Sequence, residues 1–419
     1  MGRMLRFNGE ECCAFPRAPS NRGAPVSPVV TSGSGGVDRR RELLPEALLP
    51  LFDDRFVASC DLNEEYVVRL ALRVLDECGL ARDLAAPVSV AELAARHGLD
   101  SMRADVVLNW LLRLLEGHGY LEQITEADGT SRFSSRAPLS TPDPGEVEER
   151  QRVLDPAALP TYRVADVAAA HYPAFLRGET SGEAVLFGPN HFDLWPAYFS
   201  NANPLYAVNN AVAATAARAL LPTAPDDVLE LGGGLGSGAE ALLQALASDR
   251  PPGRYHFTEL APLFLRRARR AFGERYPEVL SFSILDMDRP FADQGVAPES
   301  QNLVFAVNTL HVAKDLRLTL GEVRNALRPG GLLVFGECLR PFNGVALHTE
   351  LVFNLLETFR APRLDPPSRP NGGFLTPEQW LGLLASAGFV ECGLYPDVRR
   401  IREVYPAFLV GAVSGRRPA

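Results

Sequence analysis

At 419 residues and 46% hydrophobic content, the chain is long enough to bury the core of two domains. No apolar stretch approaches the roughly 20 residues that cross a bilayer, and "MGRMLRFNGEECCAF" has no apolar segment of signal-peptide type, so a cytoplasmic protein making no membrane contact is expected. The net charge of −9 argues against nucleic acid as a partner, because phosphate contacts need a basic face.

Residues 1–42, rich in Gly, Pro, Ser and Arg, have no apolar period and read as a disordered tail. Cys12-Cys13 in that tail is a weak metal-binding pair. The six cysteines are otherwise scattered without metal-ligand spacing. Residues 43–135 follow with helical patterns. "EEYVVRLALRVLDECGLARDL" carries apolar residues at i, i+3, i+4 and i+7. "SVAELAARHGLD" starts at Ser89 as an N-cap, and "SMRADVVLNWLLRLLEGHGY" is a third helix. "YLEQIT" and "SRFSS" flank Asp128-Gly129, a hairpin signal. Helix, helix and hairpin make a winged-helix-like domain. Without a basic recognition helix it is expected to serve packing and homodimer formation, since its helices hold more apolar residues than one hairpin can cover.

Residues 136–220 are a Pro- and Glu-rich connector, then a helical, aromatic segment. There Phe192, Trp195 and Tyr198 are candidate walls of an apolar substrate pocket. From 221 to 419 short apolar runs alternate with helical ones. The strands are "DVLEL", "YHFTEL", "LSFSILD", "QNLVFAVNTL", "GGLLVFGEC", "VECGLYPD" and "AFLVGAV". The helices fall near 237–247, 262–273, 315–327, 347–359 and 376–387. That rhythm predicts an α/β fold: a doubly wound, mostly parallel Rossmann-like sheet behind a mainly helical front domain.

"DVLELGGGLGSG" drives a strand into a glycine loop, which lets a ligand approach bare backbone. Two ligand classes compete. Gly234, Gly236 and Ala239 satisfy a dinucleotide fingerprint, which keeps an NAD-dependent oxidoreductase open. Glu230, Gly232, Gly234 and Gly236 place an acid before the glycines instead. A carboxylate there is unwelcome beside pyrophosphate and favourable beside the sulfonium and ammonium of S-adenosylmethionine. Glu259, ending the next strand, can accept both ribose hydroxyls. Asp286 can accept from an adenine amino group, or cap a turn, while Met287 packs on the ring; Leu260 and Asn308 complete the cofactor set.

In this order, "VLELGGGLGSGAEAL", "FTEL", "LDMDRPF", "VNTLHVAKDL" and "LRPGGLLVFGE" resemble the class I S-adenosylmethionine-dependent methyltransferases over about half of the chain. The front domain resembles that of small-molecule O-methyltransferases, and the run from Asn308 to Glu337 is similar to polyketide-synthase C-methyltransferase domains. His311 follows the fourth strand and Glu337 ends the fifth, so neighbouring strand ends bring an imidazole and a carboxylate together at the ligand-binding edge. There His311 can act as general base oriented by Glu337; the alternative is a helix-capping histidine beside an ion-paired glutamate. The resemblance implies the same two roles. It also implies a small aromatic or polyketide-like substrate, free or tethered to a carrier. Where the O-methyltransferases carry "HDW", this chain has His311-Val312-Ala313-Lys314-Asp315, closer to the C-methyltransferases, so oxygen and carbon both stay open as the acceptor. Lys314, the only lysine, reads as solvated or substrate-binding. No catalytic metal is expected. A non-catalytic, adenosylmethionine-binding regulator is the remaining alternative.

Overall fold

A computed structural model describes residues 39–366 and 368–419. The expected tail and the Cys12-Cys13 pair lie largely or wholly outside them. In the front region, helix Asp54–Glu77 is capped by Asp53, which accepts the Phe56 N–H at 2.7 Å. Ser89 and Glu92 form a capping box that starts helix Val90–Arg96, and Asp100 caps helix Ser101–Gly117. Strands β2 (Glu122–Thr125) and β3 (Ser131–Ser134) form the hairpin. Its turn is closed by Asp128, whose Oδ1 accepts the Thr130 N–H at 2.8 Å. A short β1 (Val88–Ser89), unforeseen in the sequence, pairs with β3 to give a three-stranded sheet ordered β1-β3-β2.

The connector is more structured than its composition suggests. Gly145–Leu154 is a helix, because Val147 and Gln151 are buried while its Glu and Arg residues pair at the surface. Gln151 donates to Ser59 Oγ at 3.0 Å and accepts from the Tyr162 hydroxyl at 3.2 Å. Helix Leu159–Leu176 then lies across the front helices. Their apolar surplus, from which self-association is expected, is covered within the chain by this helix and by the 351–355 segment, in one buried cluster.

The second layer system is a seven-stranded sheet ordered β6-β5-β4-β7-β8-β10-β9. Its strands are β4 (Asp227–Leu231), β5 (Arg254–Thr258), β6 (Leu280–Ser283), β7 (Gln301–Val307), β8 (Leu327–Cys338), β9 (Val390–Leu394) and β10 (Val410–Arg416). Strands β4 to β8 pair in parallel, and β10 runs antiparallel between β8 and β9. Central strand β4 is buried throughout, as a sheet covered on both faces requires. The expected helix at 347–359 is two single turns, Glu350–Phe353 and Glu357–Arg360. The Glu350 carboxylate accepts from the Arg340 guanidinium and, at 2.8 Å, from the Leu347 N–H, and so anchors the start of the first turn. No helix of the described residues is long and apolar enough to cross a membrane.

Candidate active site

Strand β4 delivers Glu230 into the interior, 1% exposed, and then breaks into the glycine loop. Gly232, Gly234 and Gly236 all have positive φ. A Cβ on Gly234 would meet nothing within 4 Å, whereas one on Gly236 would lie 2.2 Å from the Phe272 ring. The first glycine therefore opens onto a cavity, and the second lets the following helix, Ser237–Leu246, pack. Glu259 folds back on the loop. Its carboxylate accepts the Gly234 N–H at 2.9 Å and the Ala261 N–H at 2.8 Å.

Glu230 Oε2 has no hydrogen-bond partner. Burial pushes its pKa up to about 8, a rise that the Tyr255 hydroxyl opposes and the Glu259 carboxylate reinforces. Burial raises Glu259 as well, against the backbone N–H groups that favour its charge. Both acids line a cavity of about 590 Å³ together with Leu260, Asp286, Met287 and Asn308. A buried carboxyl with one oxygen unpartnered, bare backbone at Gly234 and a second acid held by the loop together fit a cationic, ribose-bearing ligand. Asp286 caps its turn, accepting the Asp288 N–H at 3.0 Å, and it also lines the larger cavity.

Beyond β7 the chain turns through Asn308 at φ 49°, a left-handed conformation that asparagine tolerates. The single 3-10 turn Leu310–Val312 follows and carries His311. Its Nδ1 lies 2.6 Å from Glu337 Oε2, and its backbone N–H donates to Glu337 Oε1 at 3.2 Å. His311 is 4% exposed and Glu337 is fully buried. Proton donation from Nδ1 to the carboxylate leaves Nε2 as the free, basic nitrogen. Phe359 and Phe374 pack against the imidazole, with ring centroids 5.6 and 4.6 Å away.

A second, smaller cavity of about 130 Å³ lies on the other side of His311. Phe199, Tyr206, Asn308, His311 and Phe353 line both cavities and so form the wall between them. The expected aromatic trio divides across that wall: Phe192 and Trp195 line the larger cavity, Tyr198 the smaller. Lys314 is exposed and lines neither. Asp288 Oδ1 accepts the backbone N–H of Lys314 at 2.7 Å and so ties the turn after Met287 to the chain beyond His311.

Two contributors were not anticipated. Buried Arg369 donates to the carbonyls of His311 and Ala313, each at 2.6 Å, and so fixes the turn that bears the imidazole. Burial pulls its pKa down to about 10, against the neighbouring carboxylates of Asp288, Asp315 and Glu337. Nothing in the loop around it signals that role. Asn210 lines the larger cavity with Oδ1 unpartnered. Here a signal existed: Asn209-Asn210 interrupts the otherwise apolar "AVNNAVAATAA".

Comparison with known proteins agrees with the fold. Residues 229–333 match the family described as "Methyltransferase domain". The structure of DszA carbon methyltransferase superposes with a TM-score of 0.67 at 27% identity, over 91% of this chain and 93% of that one. CurJ carbon methyltransferase does so at 0.74 and 22% identity, over 91% and 98%, which shows a shared fold. A reducing polyketide synthase, Preu2 of Preussia isomera, is 28% identical over 257 residues, 61% of this chain. The chain spans only about a tenth of that relative's length. Fold, site and domain match define a class I S-adenosylmethionine-dependent methyltransferase, with the architecture of polyketide-synthase carbon methyltransferase domains. Its cofactor is S-adenosylmethionine, and the dinucleotide reading of the loop falls away.

Proposed function

We propose that the chain methylates a carbon atom of a polyketide-like acyl thioester presented on a carrier, with His311 as general base and Glu337 as its orienting partner. The observation that carries this reading is the buried His311–Glu337 pair in the wall between the two cavities. One cavity has the acids suited to the cofactor, and the other has room for an acceptor. Support for carbon comes from the His311-to-Leu316 pattern and from the carbon methyltransferase structure at 27% identity; support for a carrier comes from the polyketide synthase relatives.

Bound in the larger cavity, S-adenosylmethionine supplies an electrophilic methyl carbon. Glu230, Glu259 and the Gly232–Gly236 backbone would hold it, with Asp286, Met287, Leu260 and Asn308 around it. His311 Nε2 takes the proton from the acidic carbon flanked by carbonyls, and the bond electrons become the nucleophile. Glu337 keeps the proton of the resting imidazole on Nδ1 and stabilises the imidazolium that forms. Arg369 positions the turn through its carbonyl contacts. The aromatic wall keeps water from the carbanion.

Methyl-deuterated S-adenosylmethionine and a 3-oxoacyl pantetheine thioester test the reading. The label should appear on the carbon between the two carbonyls, and a methyl ether product would overturn the carbon assignment. General-base assistance is worth about 10²–10⁴-fold, so His311→Ala should lose turnover on that scale while cofactor affinity holds. Glu337→Gln should lose less, and the double variant should be no worse than His311→Ala. Near-native turnover in folded His311→Ala would remove the base assignment.

A further inference from the structure

The smaller cavity sets a limit on what can be methylated. Its volume is about 130 Å³, slightly below the roughly 150 Å³ that accommodates a benzene ring. The far end is closed by Phe56 and Phe408, 5% and 3% exposed, whose ring centroids lie 6.5 Å apart. Beyond these rings is a separate pocket of about 80 Å³, which Phe56, Cys60, Ala407 and Phe408 also line. Two aromatic side chains are therefore the floor between a short cavity and a longer one. The side walls are less apolar. Asn63 and Thr349 both line the cavity, and Asn63 Oδ1 and Thr349 Oγ1 lack partners among the described residues.

Resting on the methyl-transfer reading, we infer that this cavity receives the acyl end of the acceptor and selects short, oxygen-bearing chains of no more than about six carbons. The Phe56–Phe408 floor rejects longer ones. An acceptor poised for proton removal at His311 has to place its acyl end on the side of the imidazole away from the cofactor, because the larger cavity is claimed by the groups that hold the cofactor. A longer chain would have to displace two core phenylalanines, and overfilling a packed interior is costly. The two unpartnered oxygens in its lining suit an acyl end that carries a carbonyl or hydroxyl.

The test uses the full chain and pantetheine thioesters of 3-oxobutanoyl, 3-oxohexanoyl, 3-oxooctanoyl and 3-oxododecanoyl groups, with kcat/KM measured for each. The first two should be methylated efficiently, and the dodecanoyl compound at least about tenfold less so, the scale on which a filled apolar pocket discriminates. Phe56→Leu should shift the optimum toward the octanoyl compound by joining the two spaces. Thr349→Val should lower kcat/KM for the 3-oxobutanoyl compound about fivefold or more, the cost of losing one buried hydrogen bond. Equal efficiency across the series would overturn the length limit even though methylation occurs. A flat response to Phe56→Leu in a folded protein would place the floor elsewhere. Carbon methylation of none of the four would sink the functional reading, and this inference with it.

Discussion

Glu230 carries a consequence that can be measured without turnover. Its buried carboxyl titrates near pH 8 in the ligand-free protein, well above the ordinary value of 4.5. Between those values the folded state holds a proton that the unfolded state releases, so this group's contribution to stability declines as pH rises from about 4.5 toward 8. A sulfonium or ammonium nearby favours the carboxylate and should drive the proton off. Cofactor binding near pH 7 should therefore release close to one proton and tighten as pH rises. Calorimetry in buffers of different ionisation heat reads this directly, and Glu230→Gln should abolish the release. Uptake of a proton, or none exchanged, would mean that Glu230 does not face the cation.

Glu230, His311 and Glu337 were legible in the sequence for one reason: each lies at or just past the carboxyl end of an apolar strand, and parallel sheets bring such ends together. Arg369 and Phe374 were not, because they come from irregular chain in which no period reports burial, and Phe359 sits in a single helical turn, Glu357–Arg360, too short to show one. The floor of the smaller cavity was hidden for another reason. Phe56 and Phe408 are distant in sequence, and only tertiary packing makes them neighbours.

At the level of elements, the glycine loop separates binding from folding. Gly234→Ala adds a methyl group to open space, and the left-handed backbone costs about 1–2 kcal/mol. The variant should stay folded and lose cofactor affinity, since the added carbon enters the cavity. Gly236→Ala pushes instead into the Phe272 ring and should lower Tm by clearly more than Gly234→Ala. Thermal melts and titration calorimetry on both variants check the pair. If Gly236→Ala melts no lower than Gly234→Ala, the close helix packing drawn for this loop is wrong. The strands were read from sequence to within a few residues, and so were the helices flanking β4 and β5. The helix at Gly145–Leu154 escaped because it is held by just two buried side chains, too few to set a pattern.

For the whole molecule, the front helices are built into the methyltransferase region. Trp110 donates from Nε1 to the Leu347 carbonyl at 2.9 Å, and the Tyr172 hydroxyl donates to the Leu351 carbonyl at 2.6 Å. Phe52 and Phe56 stack edge-on against Phe408. A fragment of residues 136–419 would uncover the faces of Tyr162, Ala165 and Ala169 on helix Leu159–Leu176. It should aggregate or bind a hydrophobic dye, where the full chain does neither. Light scattering and dye fluorescence decide this. A well-behaved active fragment would show that the front region is dispensable. Self-association of the full chain would have to use a surface other than the apolar faces that helix Leu159–Leu176 already covers.

The placement of β10 between β8 and β9 also orders events during synthesis. Strand β9 leaves the ribosome before β10, yet among the described residues its only neighbour in the sheet is β10. Until β10 is laid beside β8, the sheet ends at β8 with an open edge, and β9 has no partner to join. An unpaired strand edge is a template for the wrong chain, and domains of this size expose such edges in their folding intermediates. The interval between translation of β8 and docking of β10 is thus when the nascent chain is most exposed to chaperones, and to aggregation if they are lacking.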